Sequence, residues 1–510
     1  MQNVFLDTRE LDVAVRNRYG LSEDIMMEEA AKSVHDAVLA RLGKDTRPCF
    51  TRPSVLVLAG PGNNGADGYA IARQLMSHET SVTACEVGVP NSEMCKLQAE
   101  RARKIGVRII HVEELDAYLE ETSLDLRVIV DCIYGSGFRG KLPPLARAAI
   151  MSVNQDKDSY KIACDMPTGF DEKGRCGTVF HADETITMGA LKLALFSDKA
   201  KDECGLITVS LLGVSRDNFE RGNEGEPQSD AKLLEVSDME LPYRRKQNVN
   251  KGSFGHVAIC SGQKAGASVI AAEAALHFGA GLVSLVSERN QFPDFQVPYE
   301  LLSSNAFPSN TNAVAVGMGI GRRAEDTATY TGYLLQNPQV SAVLDADVFY
   351  NEDIMRLLNH RPQGLLLTPH PKEFFSLLQI CGLASINGVP IADVQTVVDN
   401  RIDLATLFCK KYRGLTLLLK GANTLICSWD AEADKPELYI NTQGNAALAK
   451  AGSGDVLAGL AAALLAQGYT TQRAAITASL AHACAAANAL KAKSGWALTP
   501  GDLINEVSSL

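Results

Sequence analysis

The sequence predicts an α/β protein of two domains, and three observations carry that expectation. The chain has 510 residues, too many for one hydrophobic core. Apolar, β-rich runs alternate with helix-patterned segments through most of its length, the rhythm of strands with crossover helices. Residues 216–232, RDNFERGNEGEPQSDAK, interrupt that rhythm with glycine, charge and proline and no periodicity, which marks a linker. The expected domains are therefore 1–215 and 233–510.

The first domain offers strands at VLVLAG (from 55), SVTACEVG (81), RVIVDCIYG (127) and KIACDMPTG (161), the pattern of a parallel sheet with helices on both faces. After the linker, strands are expected at HVAIC (256), LVSLV (282), AVAVG (313), AVLDAD (342), LLLTPH (365), LTLLLKG (415) and ELYIN (437). The alanine-rich stretch RAAITASLAHACAAANALK near the C-terminus is expected to be a buried packing helix. Internal repeats and low-complexity segments are not evident.

Composition excludes several classes of function. Formal charge is −11 without a long basic run, so neither a nucleic-acid groove nor an anionic membrane surface is expected. The longest apolar stretch, VLAGLAAALLAQG, is shorter than the roughly 20 residues of a bilayer span. The start MQNVFLDTRELD is polar and acidic, unlike a signal peptide. Twelve scattered cysteines, none closer than ten residues to the next, give no C-x-x-C pair. Reduced thiols and a cytoplasmic location are the expectation. Self-association into a homo-oligomer stays open.

In open parallel sheets, ligands bind outside the carboxyl ends of the strands. The first such end carries Asn63, Asn64 and Asp67 in a glycine turn. Gly60, Gly62 and Gly65 there satisfy G-x-G-x-x-G, with Glu86 placed 21 residues beyond Gly65. A carboxylate inside the turn argues against a pyrophosphate cradle of the hydride-carrying kind, and Glu86 is not expected to hold a ribose. The next end gives Asp131 and the loop GSGFRGK (135–141). A third gives Asp165, followed by Thr168 and Gly169. An oxygen-only donor set suits a hard cation, monovalent ions included, rather than a transition metal. Singly, these residues are also ordinary helix caps and turn formers.

GNNGADGYAIAR, VDCIYGSGFRG and CDMPTGF together resemble the signatures of the NAD(P)H-hydrate epimerase family over roughly residues 10–215. The resemblance implies a Rossmann-like three-layer sandwich that interconverts the R and S epimers of hydrated NADH and NADPH. It assigns Asn63, Asn64, Gly65, Ala66 and Asp67 to the hydrated cofactor, together with the loop residues Gly135, Ser136, Gly137, Phe138, Arg139, Gly140 and Lys141. A potassium ion would sit on Asn64, Asp131 and Thr168, and Asp165 would touch substrate as the acid or base. Ala66 and Thr168 depart from the glycine and serine more usual in the family. Alanine adds one methyl, and threonine keeps the hydroxyl.

In the second half, small residues in AGSGD (451–455) leave backbone N–H groups open at a helix start, an anion site by virtue of the helix dipole. Asp455 there is placed to act as general base on an alcohol beside a bound phosphate, or simply to cap the helix. KGANTLI (420–426), LTPHPKEFFSLL (367–378), VGMGIG (316–321) and KGSFGHVAICSGQKAGAS (251–268) supply further strand-end turns. Five such rims fit a nucleotide plus a second ligand. With LDAD (344–347), these motifs resemble, in order, the ribokinase-like superfamily and within it the ADP- or ATP-dependent NAD(P)H-hydrate dehydratases, over about residues 240–510. The resemblance implies a ribokinase-like α/β/α fold. It assigns Ala267, Gly319, His370 and Asp455 to the hydrate, and Lys420, Gly421, Ala422, Asn423, Thr424 and Gly454 to ADP, with magnesium assisting. Nicotinamide nucleotide repair is the function so implied. Its leading rival is a ribokinase-type small-molecule kinase fused to a noncatalytic Rossmann-like binding module. A dehydrogenase ranks last.

Overall fold

A computed structural model describes residues 1–45, 52–78, 80–222, 228–287, 298 and 300–510. The chain forms two compact units, residues 3–230 and residues 231–510 with Met1 and Gln2.

The main sheet of the first unit has seven strands among the described residues: β1 (Ser54–Ala59), β2 (Ser81–Glu86), β3 (Arg108–His111), β4 (Leu126–Cys132), β5 (Tyr160–Cys164), β6 (Glu184–Met188) and β7 (Leu206–Ser210). They lie in the order β3-β2-β1-β4-β5-β6-β7, and every neighbouring pair is parallel. Strand order reverses at β1 and β4, the switch point where a Rossmann-type sheet opens a crevice. β1 shows why three layers form. Val55, Val57 and Ala59 pack into one buried cluster, while Leu56 and Leu58 pack into another, because successive side chains of a strand point to opposite faces. Each face therefore needs its own layer of helices.

The second unit contains β8 (Ala231–Leu233), β9 (His256–Cys260), β10 (Leu282–Val286), β11 (Leu302–Ser304), β12 (Ala313–Val316), β13 (Ser341–Leu344), β14 (Leu365–Leu367), β15 (Thr416–Leu419), β16 (Thr424–Asp430) and β17 (Lys435–Asn441). Their order is β11-β10-β9-β12-β13-β14-β15-β16-β17-β8. The run from β11 to β15 is parallel, so the chain leaves β9, β12, β13, β14 and β15 along one edge. β16 returns antiparallel to β15, and β17 runs antiparallel to β16. The helices Ser453–Ala466 and Thr471–Ala489 are buried along most of their length. Alanine there lets helices and sheet approach closely, and the second of them is the packing helix expected from its composition.

The expected linker needs correcting. Arg216–Glu220 is a helix whose Phe219 is fully buried, and a Cβ at Gly189 would collide with that ring. Buried Glu220 accepts from Asn3 Nδ2 at 2.6 Å and pairs with Arg216. Ala231–Leu233 is already a strand, paired in parallel with β17. One aromatic anchor inside a polar run outweighs the composition around it. Residues 223–227 of that segment lie outside the described residues.

Candidate active sites

A cavity of about 520 Å³ opens at the carboxyl ends of β1, β4, β5 and β6. Its wall includes Asn63, Asn64 and Asp67 from the start of the helix Asn63–Leu75 that follows β1, Gly135 to Arg139 from the loop after β4, and Asp165 after β5. Tyr134 and Phe138 stack with ring centroids 4.7 Å apart, giving that wall an aromatic face. The parallel order brings these segments together because each follows a strand end at the switch point. Four expected contacts fall elsewhere. Gly65 and Ala66 are buried behind the turn, where a Cβ on Gly65 would strike the Gly60 carbonyl. Their smallness serves close packing. Gly140 and Lys141 are exposed and off the cavity wall.

Asp165 takes a left-handed backbone, with φ of 72°, a conformation uncommon away from glycine and tolerated by Asp. Its Oδ2 accepts the Ser136 N–H at 2.7 Å and its Oδ1 lies 2.7 Å from Lys192 Nζ. A Cβ at Gly135 would collide with that carboxylate, so the loop glycine makes room for it. Burial opposes charge on Asp165, but Lys192 and the Ser136 N–H outweigh it and hold the carboxyl below its usual range.

Beneath the cavity, Asp131 is 0% exposed. Its oxygens accept from the Ile133 N–H (3.1 Å), the Thr168 N–H (2.7 Å) and the Thr168 hydroxyl (2.8 Å). These donors are neutral, and burial pushes the carboxyl up to about 6. Asn64 Nδ2 is buried without a partner among the described residues. A buried carboxylate lacking a cation, a hydroxyl and an unsatisfied amide are a donor set that a monovalent cation fits.

Glu86 accepts from the buried Tyr69 hydroxyl at 2.8 Å and from Arg103 at 2.6 Å. Both contacts tie it into the packing of the first unit. Lys192, Asp12, Thr8, Arg9 and Met188 also line the cavity and were missed. Lys192 stands as a single charge in the apolar run ALKLALF. A buried charge requires a partner, and that was the legible signal. Thr8, Arg9 and Asp12 come from the helix Arg9–Tyr19 and its approach, away from any strand end.

In the second unit, the carboxyl-end edge gathers Asp345 after β13, Thr368 and His370 after β14, and Lys420 after β15. Asp345, 2% exposed, accepts from Lys420 Nζ at 2.8 Å and from the Thr368 hydroxyl at 2.9 Å. Glu373 Oε2 lies 4.0 Å from the same ammonium. Burial opposes the charge on Lys420, yet Asp345 and Glu373 raise its pKa. His370 caps the helix Pro371–Ile380. Its Nδ1 accepts the Lys372 and Glu373 N–H groups at 3.2 Å, and Nε2 lies 3.1 Å from Glu373 Oε1. Burial, then Lys420, lowers its pKa, so the ring is neutral, with one edge spent on capping.

Gly452 has a left-handed φ of 91° and opens the helix Ser453–Ala466. A Cβ on Gly454 would sit 3.4 Å from Lys420 Nζ, which places the helix start against the lysine. Asp455, in that first turn, has its carboxyl raised to about 6 by burial and by Asp345, with Lys420 opposing. Gly319, with φ of 64°, lies against Ala267: a Cβ there would come within 3.3 Å of the Ala267 methyl. Gly421 and Ala422 are exposed at the rim, while Asn423 is buried beneath it. Asp345 and Glu373, quoted in motifs but given no role, prove central to the charge network.

The fold and its two strand-end sites define an α/β enzyme of two catalytic units. Residues 257–509 match the family described as NAD(P)H-hydrate dehydratase, and residues 23–194 the YjeF-related protein N-terminus. A bifunctional NAD(P)H-hydrate repair enzyme of Helicobacter pylori is 40% identical over 100% of both chains. Those of Coxiella burnetii and Escherichia coli are 31% and 30% identical, covering 94% and 86% of this chain and 92% and 81% of theirs. The crystallised ADP/ATP-dependent NAD(P)H-hydrate dehydratase of Bacillus subtilis is 22% identical over 55% of this chain and 97% of that one, with a TM-score of 0.44. The chain belongs to the bifunctional NAD(P)H-hydrate repair enzyme family. Among the described residues, no helix is long and apolar enough to cross a membrane.

Proposed function

We propose that the first unit epimerises the R and S forms of hydrated NADH and NADPH, and that the second dehydrates the S form at the expense of ADP. Full-length similarity to bifunctional relatives supports repair over a small-molecule kinase. The carrying observation is Asp455, a carboxyl raised to about 6 at a helix start beside Lys420 and Asp345.

Hydroxide is a poor leaving group, so the hydroxyl on C6 must first be phosphorylated. Asp455 removes the hydroxyl proton, and the open amides of the Gly452–Asp455 turn stabilise charge on the transferred phosphoryl group. The terminal phosphoryl group of ADP moves to that oxygen and AMP leaves; phosphate then departs from C6 as C5 loses a proton, and the ring double bond returns. Lys420, with Gly421 to Thr424 and Gly454, suits the nucleotide phosphates; Ala267, Gly319 and His370 suit the hydrate. Magnesium would be carried mainly by nucleotide phosphates and water. Bound there, magnesium would neutralise phosphate charge. In the first unit, Asp165 faces the reacting carbon, and Asn64, Asp131 and Thr168 would hold potassium below the cavity floor. A cytoplasmic location accords with the free cysteines among the described residues.

Asp455→Asn should lower the turnover of S-hydrated NADPH with ADP by about 100-fold or more, measured as recovery of the near-ultraviolet absorbance of reduced nicotinamide. Wild-type turnover in that variant would contradict the assignment.

A further inference from the structure

The wall of the first cavity carries the ionisable side chains Asp12, Asp67, Asp165, Lys192, Arg9 and Arg139. Two of them are committed to each other. Lys192, 2% exposed, donates to the Thr187 hydroxyl and the Met188 carbonyl, each at 2.9 Å, and its ammonium lies 2.7 Å from Asp165 Oδ1. A buried ammonium so fixed keeps its neighbouring carboxylate ionised and oriented.

Asp67 is in the opposite condition. It sits half-buried in the second turn of the helix Asn63–Leu75 and faces the cavity. No hydrogen bond or ion pair joins its carboxyl to another described residue, and what faces it is chiefly burial and negative charge, from Asp165, Asp12 and Glu23. Burial, then those charges, raises its pKa well above the ordinary carboxyl range. Asp12 is raised to about 6, by burial first and by Asp165 and Asp7, with Lys192 and Arg16 opposing. Two carboxyls whose surroundings push them apart, one kept charged by an ammonium and one left unpaired, are the arrangement from which acid and base roles are read.

We infer that Asp67 is the general acid and Asp165 the general base of the inversion, with Lys192 as the residue that positions Asp165. The assignment presupposes the epimerase function proposed above. The inverted carbon carries both the added hydroxyl and the ring nitrogen. Asp165 takes the hydroxyl proton, and the freed O–H pair becomes the second carbon–oxygen bond as the carbon–nitrogen bond breaks. The pair released onto nitrogen takes the proton of Asp67. The resulting aldehyde turns about its carbon–carbon bond and closes by the reverse steps, which restores both protons and leaves the hydroxyl on the other face. Electrons and atoms balance without a redox partner or an added reactant.

The test uses the full-length protein and purified R-hydrated NADPH without ADP, with the epimers separated by chromatography. Asp67→Asn should slow inversion by about 100-fold or more and abolish the alkaline limb of the pH–rate profile, while ADP-dependent dehydration of the S form continues at the wild-type rate. Lys192→Met should move the acid limb to higher pH, and Lys192→Arg should restore it in part; a merely structural loss would lower the rate equally at every pH. With the wild-type enzyme in 18O-water, the inverted hydroxyl should keep its original oxygen. Undiminished inversion by Asp67→Asn, or one solvent oxygen gained per inversion, would overturn the inference. Absence of inversion by the wild-type protein would instead overturn the epimerase function.

Discussion

As the proposed base, Asp455 would act only while ionised, and its carboxyl is raised to about 6 because burial and Asp345 disfavour the charge. Dehydration should therefore hold a plateau above that pH and fall about tenfold per unit below it, readable in turnover at saturating hydrate and ADP. A profile flat down to pH 4 would contradict the role. Asp131 supports a second expectation. Its buried carboxylate has neutral donors only, so potassium should stabilise the first unit. At a tenfold excess over its dissociation constant, the unfolding temperature should rise by about 4 °C relative to tetramethylammonium at equal ionic strength. No shift would remove the ion from that site. Most of these residues were legible because strand-end positions single out oxygen donors: Asn64, Asp131, Thr168 and Asp165 all lie where the sequence placed them. Asp12 was not legible, since nothing local says that the N-terminal helix reaches a cavity built from strands far along the chain.

Glycine at the element scale decides whether helix and sheet can approach. Gly65 abuts the Gly60 carbonyl, and Gly60 in turn abuts the Ile133 carbonyl, so the turn after β1 packs backbone against backbone. Gly65→Ala should cost about 3 kcal/mol of first-unit stability and remove epimerisation, while dehydration persists. Thermal unfolding and the two separate activities check this, and an unaltered epimerase would contradict it. The G-x-G-x-x-G spacing was visible, but its meaning was not, because tight packing and phosphate binding ask for the same small residue. Strands were readable from apolar runs such as VLVLA, whose residues serve two cores at once. The three-residue strand Leu302–Ser304 had no comparable run.

Two units in one molecule follow from the chemistry of the damage. Hydration yields both epimers, and a stereospecific dehydratase consumes only one, so fusion to an epimerase rescues the whole pool. The Helicobacter pylori relative matches over its full length, both units included. The two-domain plan was legible from chain length and from the interrupted rhythm after residue 215. The division after residue 230 falls inside the expected linker 216–232, but Phe219 ties the start of that polar segment to the first unit. The most direct test supplies the full-length protein with mixed R- and S-hydrated NADPH and ADP, beside the Asp165→Asn variant. The wild type should return all of the hydrate as NADPH, and the variant should stall once the S fraction is spent, apart from slow spontaneous epimerisation. A stable phosphorylated alcohol with no recovery of reduced nicotinamide would contradict the account.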